Sequence, residues 1–158
     1  MKNIFLFSLF VICISCNENV TPKPKAYLNL SYKQPTYQKI PDTDIPYYFE
    51  ISSQSTFTLK ENNWANIHYP HLKADINITY QKVNNDIYQL ISDAEKLTFK
   101  HTLMADQIDV RPFENPKKKV YARIFNVSGN AASPIQFQAT DSVKNFISGS
   151  LYFKVAPN

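Results

Sequence analysis

The residue with the most specific chemical setting in this chain is Cys16. Ser15 stands directly before it and Asn17-Glu18 directly after, so a small residue precedes the thiol and polar residues follow. A cysteine so placed is a substrate for lipid transfer and for cleavage on its amino side, provided that an export leader lies upstream. Met1-Lys2-Asn3 and the apolar run from Ile4 to Ile14, interrupted only by Ser8, supply such a leader. As a helix that run is roughly 16 Å long, whereas a span must cross about 30 Å of hydrocarbon. Residues 1–15 are therefore read as a lipoprotein signal peptide and Cys16 as the acylated first residue of the mature chain. Position 13, where a branched apolar residue is usual, holds Cys13; Ile12 is too bulky to make Cys13 itself the modified residue.

The remaining candidates for chemistry are sparse. His68-Tyr69-Pro70-His71 is a close histidine pair, but a metal would need two more ligands from elsewhere. Pro70 puts the pair at a strand end or turn, and no metal site is expected there. His101 falls on the apolar stripe of a helix and reads as a core histidine. Asp106 and Asp109 fall where that helix runs out, as solvated or end-capping carboxylates. No cysteine follows Cys16, which removes disulfides, thiolate metal sites and a cysteine nucleophile from the mature protein. Neither G-x-S-x-G, H-E-x-x-H nor S-x-x-K occurs, and Gly129 and Gly149, as the two glycines, cannot build a phosphate-cradling loop. We expect no cofactor and no enzymatic activity, with a lipid-tethered enzyme or small-ligand-binding domain as the alternative.

Charge points the same way. Taking Lys2 from the 17 Lys and Arg leaves 16 against 13 Asp and Glu, a mildly basic mature chain. The dense run Lys117-Lys118-Lys119 follows Asn115-Pro116 and reads as a solvated turn, so nucleic acid is not an expected partner.

The elements that must carry these residues follow from the hydrophobic pattern. Residues 16–26, polar with Pro22 and Pro24, have the composition of an extended tether, and residues 27–158 are expected to form one domain. Leu28, Leu30 and Tyr32 alternate as in a half-buried strand, and Tyr47-Tyr48-Phe49-Glu50-Ile51 is another candidate. Ala74, Ile76, Ile78 and Tyr80 alternate with Asp75, Asn77, Thr79 and Gln81, the period of a strand with one wet face. The period then lengthens: Ile87, Leu90, Ile91, Ala94, Leu97, Thr98, His101 and Met104 predict an amphipathic helix over about 85–105, with Leu90, Ile91 and Leu97 toward the sheet. Asn84, Asn85 and Asp86 are start signals, and Asp86 with Gln89 has capping-box spacing. Strand signals return at 108–113, 120–127, 135–139 and 151–155. The fold class is α+β, a mainly antiparallel sheet packed by one long helix. Because one helix leaves a sheet face uncovered, a further C-terminal helix beyond Asn158 is expected.

Between two of the late strands, Ser128-Gly129-Asn130-Ala131-Ala132-Ser133 is small and polar. Backbone there can approach a partner closely, and Gln136 and Gln138 alternate with Ile135, Phe137 and Ala139. Gly129, Asn130, Gln136 and Gln138 are thus the candidate partner surface, weighed against a plain hairpin in which Gly129 and Asn130 only supply unusual backbone angles.

Thr21-Pro22-Lys23-Pro24, Val83-Asn84-Asn85, Lys100-His101-Thr102, Ala105-Asp106, Lys119-Val120-Tyr121, Gly129-Asn130-Ala131-Ala132-Ser133, Gln136-Phe137, Thr140-Asp141-Ser142 and Leu151-Tyr152-Phe153 together, in this order and spacing, resemble the gliding-motility lipoprotein GldD family. The resemblance covers nearly all of the chain. It implies a lipoprotein (palmitate on Cys16) of the bacterial cell envelope, membrane-held and facing the periplasm. It also implies a scaffold or assembly role, with other gliding proteins and the associated type IX secretion machinery as partners. It brings no catalytic residues, and it implies a helical tail past Asn158.

Overall fold

The computed structural model describes residues 31–41, 44–101 and 105–154. The leader, Cys16, the tether, and Leu28 and Leu30 lie outside the described residues, as do Met104, Val155 and the side chain of His101. The chain divides into two units, residues 1–33 and 34–158. Of the first, only residues 31–33 are described; they have no regular structure, and Tyr32 is exposed rather than part of the expected strand.

The second unit carries two sheets. A small ribbon pairs β1 (Tyr37–Lys39) with β2 (Glu50–Ser52). The large sheet has seven antiparallel strands in the order β3-β4-β5-β9-β8-β7-β6. Its members are β3 (Thr56–Leu59), β4 (Ala65–Tyr69), β5 (Ala74–Lys82), β6 (Ala105–Asn115), β7 (Val120–Gly129), β8 (Ile135–Thr140) and β9 (Asn145–Phe153). One α-helix, α1 (Ile87–His101), sits among the described residues between β5 and β6 and crosses one face over β8 and β9. The α+β expectation holds: a mainly antiparallel sheet with one amphipathic helix.

Two hairpins are closed by the same local device. Pro70–Leu72 and Pro116–Lys118 each form one tight turn opened by proline, whose fixed φ suits a first helical position. Each then passes through a left-handed lysine, Lys73 at φ 49° and Lys119 at φ 53°, before the return strand. The amides of Lys73 and Lys119 donate to Pro70 and Pro116 carbonyls, each at 3.2 Å. The Lys117-Lys118-Lys119 run is therefore an exposed turn, as its composition suggests.

Strand alternation gives the large sheet two unlike faces. On one, Ala65, Ile67 and Ile78 are buried together with Ile40 and Ile51, and Phe49, Phe57, Ile76, Phe137 and Ile147 pack around them. The cover on this half of the face includes Ile40, Ile45, Phe49 and Ile51. Tyr47 stacks on Phe49 with centroids 5.9 Å apart, and its hydroxyl donates to the Asn63 carbonyl at 2.6 Å. Gly149 faces the same side; a Cβ there would lie 2.3 Å from the Phe137 ring, so only glycine lets that ring lie across β9. The other face turns toward α1 and is mostly polar.

The helix departs from expectation at three points. It ends at His101, and β6 begins at Ala105, so Asp106 and Asp109 belong to a strand. Gln89 gives its amide to Asp93 at 2.8 Å instead of reaching back to Asp86, while Asp86 accepts from the Asn84 amide at 2.7 Å, so no capping box forms. Leu97 is 59% exposed, whereas Thr98 is 3% exposed and faces the sheet. The sequence carries two overlapping stripes, 87/91/94/98 and 90/94/97/101, both at helical spacing. The first is turned inward because Phe99 meets Phe125 edge-on at 6.3 Å and Glu95 pairs with Arg123 of β7.

The N-terminal strand content also differs. Tyr47, Tyr48 and Phe49 lie outside β2, and β1, β3 and β4 are strands beyond those expected, although Phe57 and Leu59, and Ala65, Ile67 and Tyr69, alternate with polar residues at the strand period.

Candidate functional site

Three regions concentrate polar or exposed groups. The first lies beneath α1. Antiparallel register aligns Arg123, Gln138, Ser148 and Thr79 across β7, β8, β9 and β5, and aligns Phe125, Gln136, Ser150 and Asn77 in the adjacent row. Side chains alternate along strands, so these two rows share the helix-facing side. Gln136 and Gln138 are 7% and 5% exposed. The expectation that they project toward a partner is therefore corrected: α1 covers them. Thr98 spends its hydroxyl on the Ala94 carbonyl at 3.1 Å, and the Thr79 and Ser148 hydroxyls bond each other at 2.8 Å. Gln138 Nε2 is buried with no hydrogen-bond partner. Between α1 and strands β5, β8 and β9 a groove of about 270 Å³ remains, with Ala94, Leu97 and Thr98 as its helix wall. A groove of about 330 Å³ flanks the same helix on its other side, lined by Ile91, Glu114, Tyr121 and Arg123 among others.

The second region lies at the outer end of the same face. His68 of β4 pairs in register with Asp75 of β5, and His68 Nδ1 lies 2.8 Å from Asp75 Oδ1. Lys154, just past β9, reaches Asp75 Oδ2 at 3.2 Å. Partial burial works against ionisation of Asp75, but the hydrogen bonds from His68 and Lys154 outweigh it and hold the carboxyl below its ordinary range. Asp75 thus clamps β4, β5 and the end of β9 together. The His68–Asp75 pairing was within reach of the sequence: a hairpin turning over Pro70–Lys73 sets residues summing to 143 opposite each other. Lys154, 79 residues on, was not. His71 sits exposed in the turn, and among the described residues no group of three or more His, Cys, Asp or Glu could hold a metal ion.

The third region is the face away from α1 at the β6–β9 end. Ile135 lies opposite Leu151, Ile124 opposite Phe137 and Phe113 opposite Ala122, with Phe153 at the end of β9 on the same side. Phe113, Ile124, Ile135 and Phe153 are all exposed. Arg111 and Asp109, paired at 2.7 Å, border them on β6.

Gly129 and Asn130 are exposed, but Gly129 has a structural task. Its φ is 98°, and a Cβ would come within 2.7 Å of the Asp106 amide, at the point where the β6–β7 register shifts between Ala105 and Gln107. A bulge of this kind favours glycine, since no side chain fits. Ala131 and Ser133, in the small, polar stretch read as open to a partner's approach, are buried, and Ser133 donates to the Ile135 carbonyl at 3.1 Å.

The turn Thr140–Asn145 closes β8 onto β9. Asp141 Oδ1 accepts from the amides of Val143, Lys144 and Asn145 at 2.9, 2.7 and 2.9 Å, and Oδ2 accepts from the Asn145 side chain at 2.7 Å. Burial opposes the charge, yet these four donors lower the Asp141 pKa to about 2. Among the described residues no helix is long and apolar enough to cross a membrane.

Among its described residues this is an antiparallel sheet domain crossed by one helix. Residues 17–158 match the family described as gliding motility lipoprotein GldD, and the chain belongs to that family. Membership makes it a gliding-motility lipoprotein, lipid-anchored in the cell envelope. No curated protein and no solved structure matches the chain.

Proposed function

We propose that the domain is a non-enzymatic scaffold or assembly factor, held to a membrane by lipid on Cys16, facing the periplasm, and docking other proteins of the motility and type IX secretion machinery. The observation that carries this reading is the exposed apolar strip Phe113, Ile124, Ile135 and Phe153, bordered by the Asp109–Arg111 pair. An apolar centre with a charged rim is the anatomy of a protein interface, and contiguous exposed apolar surface is uncommon on a protein without partners. The absence of nucleophile and metalloprotease motifs from the sequence supports a non-catalytic role.

The anchor is part of the proposal. Each buried acyl CH₂ contributes about 0.8 kcal/mol, so a multiply acylated Cys16 holds the chain firmly at a bilayer. The test combines Phe113→Ser with Ile124→Ser on the exposed strip and compares it with Cys16→Ala. The strip variant should stay folded and anchored but lose gliding and its captured envelope partners; Cys16→Ala should be unprocessed and free of lipid by mass spectrometry. A folded, anchored strip variant that glides normally with unchanged partners overturns the docking role, and native protein without lipid overturns the anchor.

A further inference from the structure

The outer edge of the large sheet has properties that the scaffold reading does not use. Among the described residues β6 pairs only with β7, and it runs for 11 residues, whereas β3 at the opposite edge has 4. The Val127 amide donates to the Pro134 carbonyl at 2.8 Å, so odd-numbered positions of β7 turn their backbone groups toward β8 and even-numbered ones toward β6. Register sets those even positions opposite Asp109, Arg111 and Phe113. The alternate residues Ile108, Val110, Pro112 and Glu114 therefore aim their backbone groups away from the sheet. Pro112 suits such a position, because the N–H it lacks is not needed by β7. Val110 through Glu114 are exposed.

An open edge of this length is a template for another strand, and its side chains select which strand fits. Arg111 Nε lies 2.7 Å from Asp109 Oδ2, two residues along the same sheet face, and both side chains are well exposed. Laid antiparallel against a second copy about a two-fold axis at Val110, the edge sets each Asp109 opposite the other copy's Arg111. A slip of two residues one way puts Asp109 against Asp109, and the other way Arg111 against Arg111. Charge thus selects one register of self-pairing. In that register the two Val110 residues exchange amide-to-carbonyl bonds, and each Ile108 amide donates to a Pro112 carbonyl across the axis. The exposed Phe113 gains the other copy's Gln107 beside it. Asp106 would face Glu114 next, where the β6–β7 register also shifts, so the new ladder is bounded by Gln107 and Phe113.

We propose that the chain forms a two-fold dimer through this edge, β6 pairing antiparallel with β6 of a second copy. Such a pair closes on itself, whereas head-to-tail pairing of β6 with the short β3 would not. Lipid anchoring confines the copies to one membrane and raises the effective concentration at which the edges meet. The dimer goes beyond the scaffold reading and is independent of it, since pairing in the plane of the sheet leaves the apolar strip uncovered.

The experiment is disulfide crosslinking of the full chain in cell membranes. Val110→Cys places two thiols at the axis, where the roughly 5.5 Å between Cα atoms of a hydrogen-bonded pair suits a disulfide. Oxidation should give a covalent dimer from Val110→Cys but not from the unsubstituted chain or from Tyr88→Cys, whose site on α1 is 86% exposed. Adding Arg111→Asp to Val110→Cys sets acid against acid twice and should lower the dimer yield about tenfold or more; adding Asp109→Arg as well restores opposite charges and should bring it back to within about threefold. The Val110 and Tyr88 comparison carries the test if a charge variant fails to fold. No dimer from Val110→Cys, an equal yield from Tyr88→Cys, a crosslink to a different protein alone, or a folded double charge reversal that restores nothing overturns the proposal.

Discussion

The two faces of the large sheet are made from the same strands, yet they are closed in different ways. On one, Ile67 and Ile78 meet Ile40 and Ile51, and the buried contact is made by aliphatic and aromatic side chains. On the other, α1 sets Thr98 over Gln136, Gln138 and Ser148, with Phe125 and Phe146 as the fully buried bulk beside them. The first face stabilises through removal of hydrocarbon from water; the second trades some of that gain for hydroxyls and amides, one of them unpaired. A face closed in the second way contributes less to stability and keeps more capacity for recognition.

The largest expected effect tests the apolar face. Ile78, 3% exposed and opposite both Ala65 and Gly149, should cost about 2–5 kcal/mol when replaced by alanine, measured by urea unfolding. If Ile78→Ala unfolds at the wild-type midpoint, the apolar face is not the main source of stability and the contrast between the faces fails.

A smaller effect isolates the turn that joins β8 to β9 and so belongs to both faces. The Asp141 pKa is lowered to about 2 from an unfolded value of 3.8, so its carboxylate adds stability that is fully present above about pH 4. That contribution is lost as pH falls from about 4 through about 2, and its upper limit is about 2 kcal/mol. Asp141→Asn keeps the turn's acceptor but not its charge, and its stability should vary less with pH over that interval than the wild type's. Parallel acid-unfolding curves for the two proteins would remove Asp141 as a contributor.

The smallest effect concerns the helix. Leu97 is outside the buried stripe, so Leu97→Ala should change stability by no more than about 0.5 kcal/mol. Ile91→Ala, on the stripe that lies beside Phe146, should cost clearly more. Equal losses at the two positions would mean that the helix sits with its other stripe inward.

Much of this molecule follows from residue order. The alternation of Ala74, Ile76, Ile78 and Tyr80 fixes β5 and its wet face, because a period of two has one geometric meaning. The longer period from Ile87 onward fixes α1, and Asn115-Pro116 fixes a turn, because proline acts through its own backbone limits; Ser128-Gly129, which also reads as a turn, instead ends β7 at a bulge. The setting of Cys16 and the family likeness are likewise properties of the linear chain. What the sequence left open is which of two surfaces an element turns inward. Leu97 and Thr98 sit one residue apart on overlapping stripes, and the choice between them depends on where Phe125 and Arg123 of β7 stand. Gln136 and Gln138 alternate as an exposed edge would, but a helix some 40 residues earlier in the chain covers them. Lys154 joins His68 and Asp75 only once β9 lies beside β5. Periodicity records spacing within one element, whereas burial and pairing depend on distances between elements, which tertiary packing alone decides.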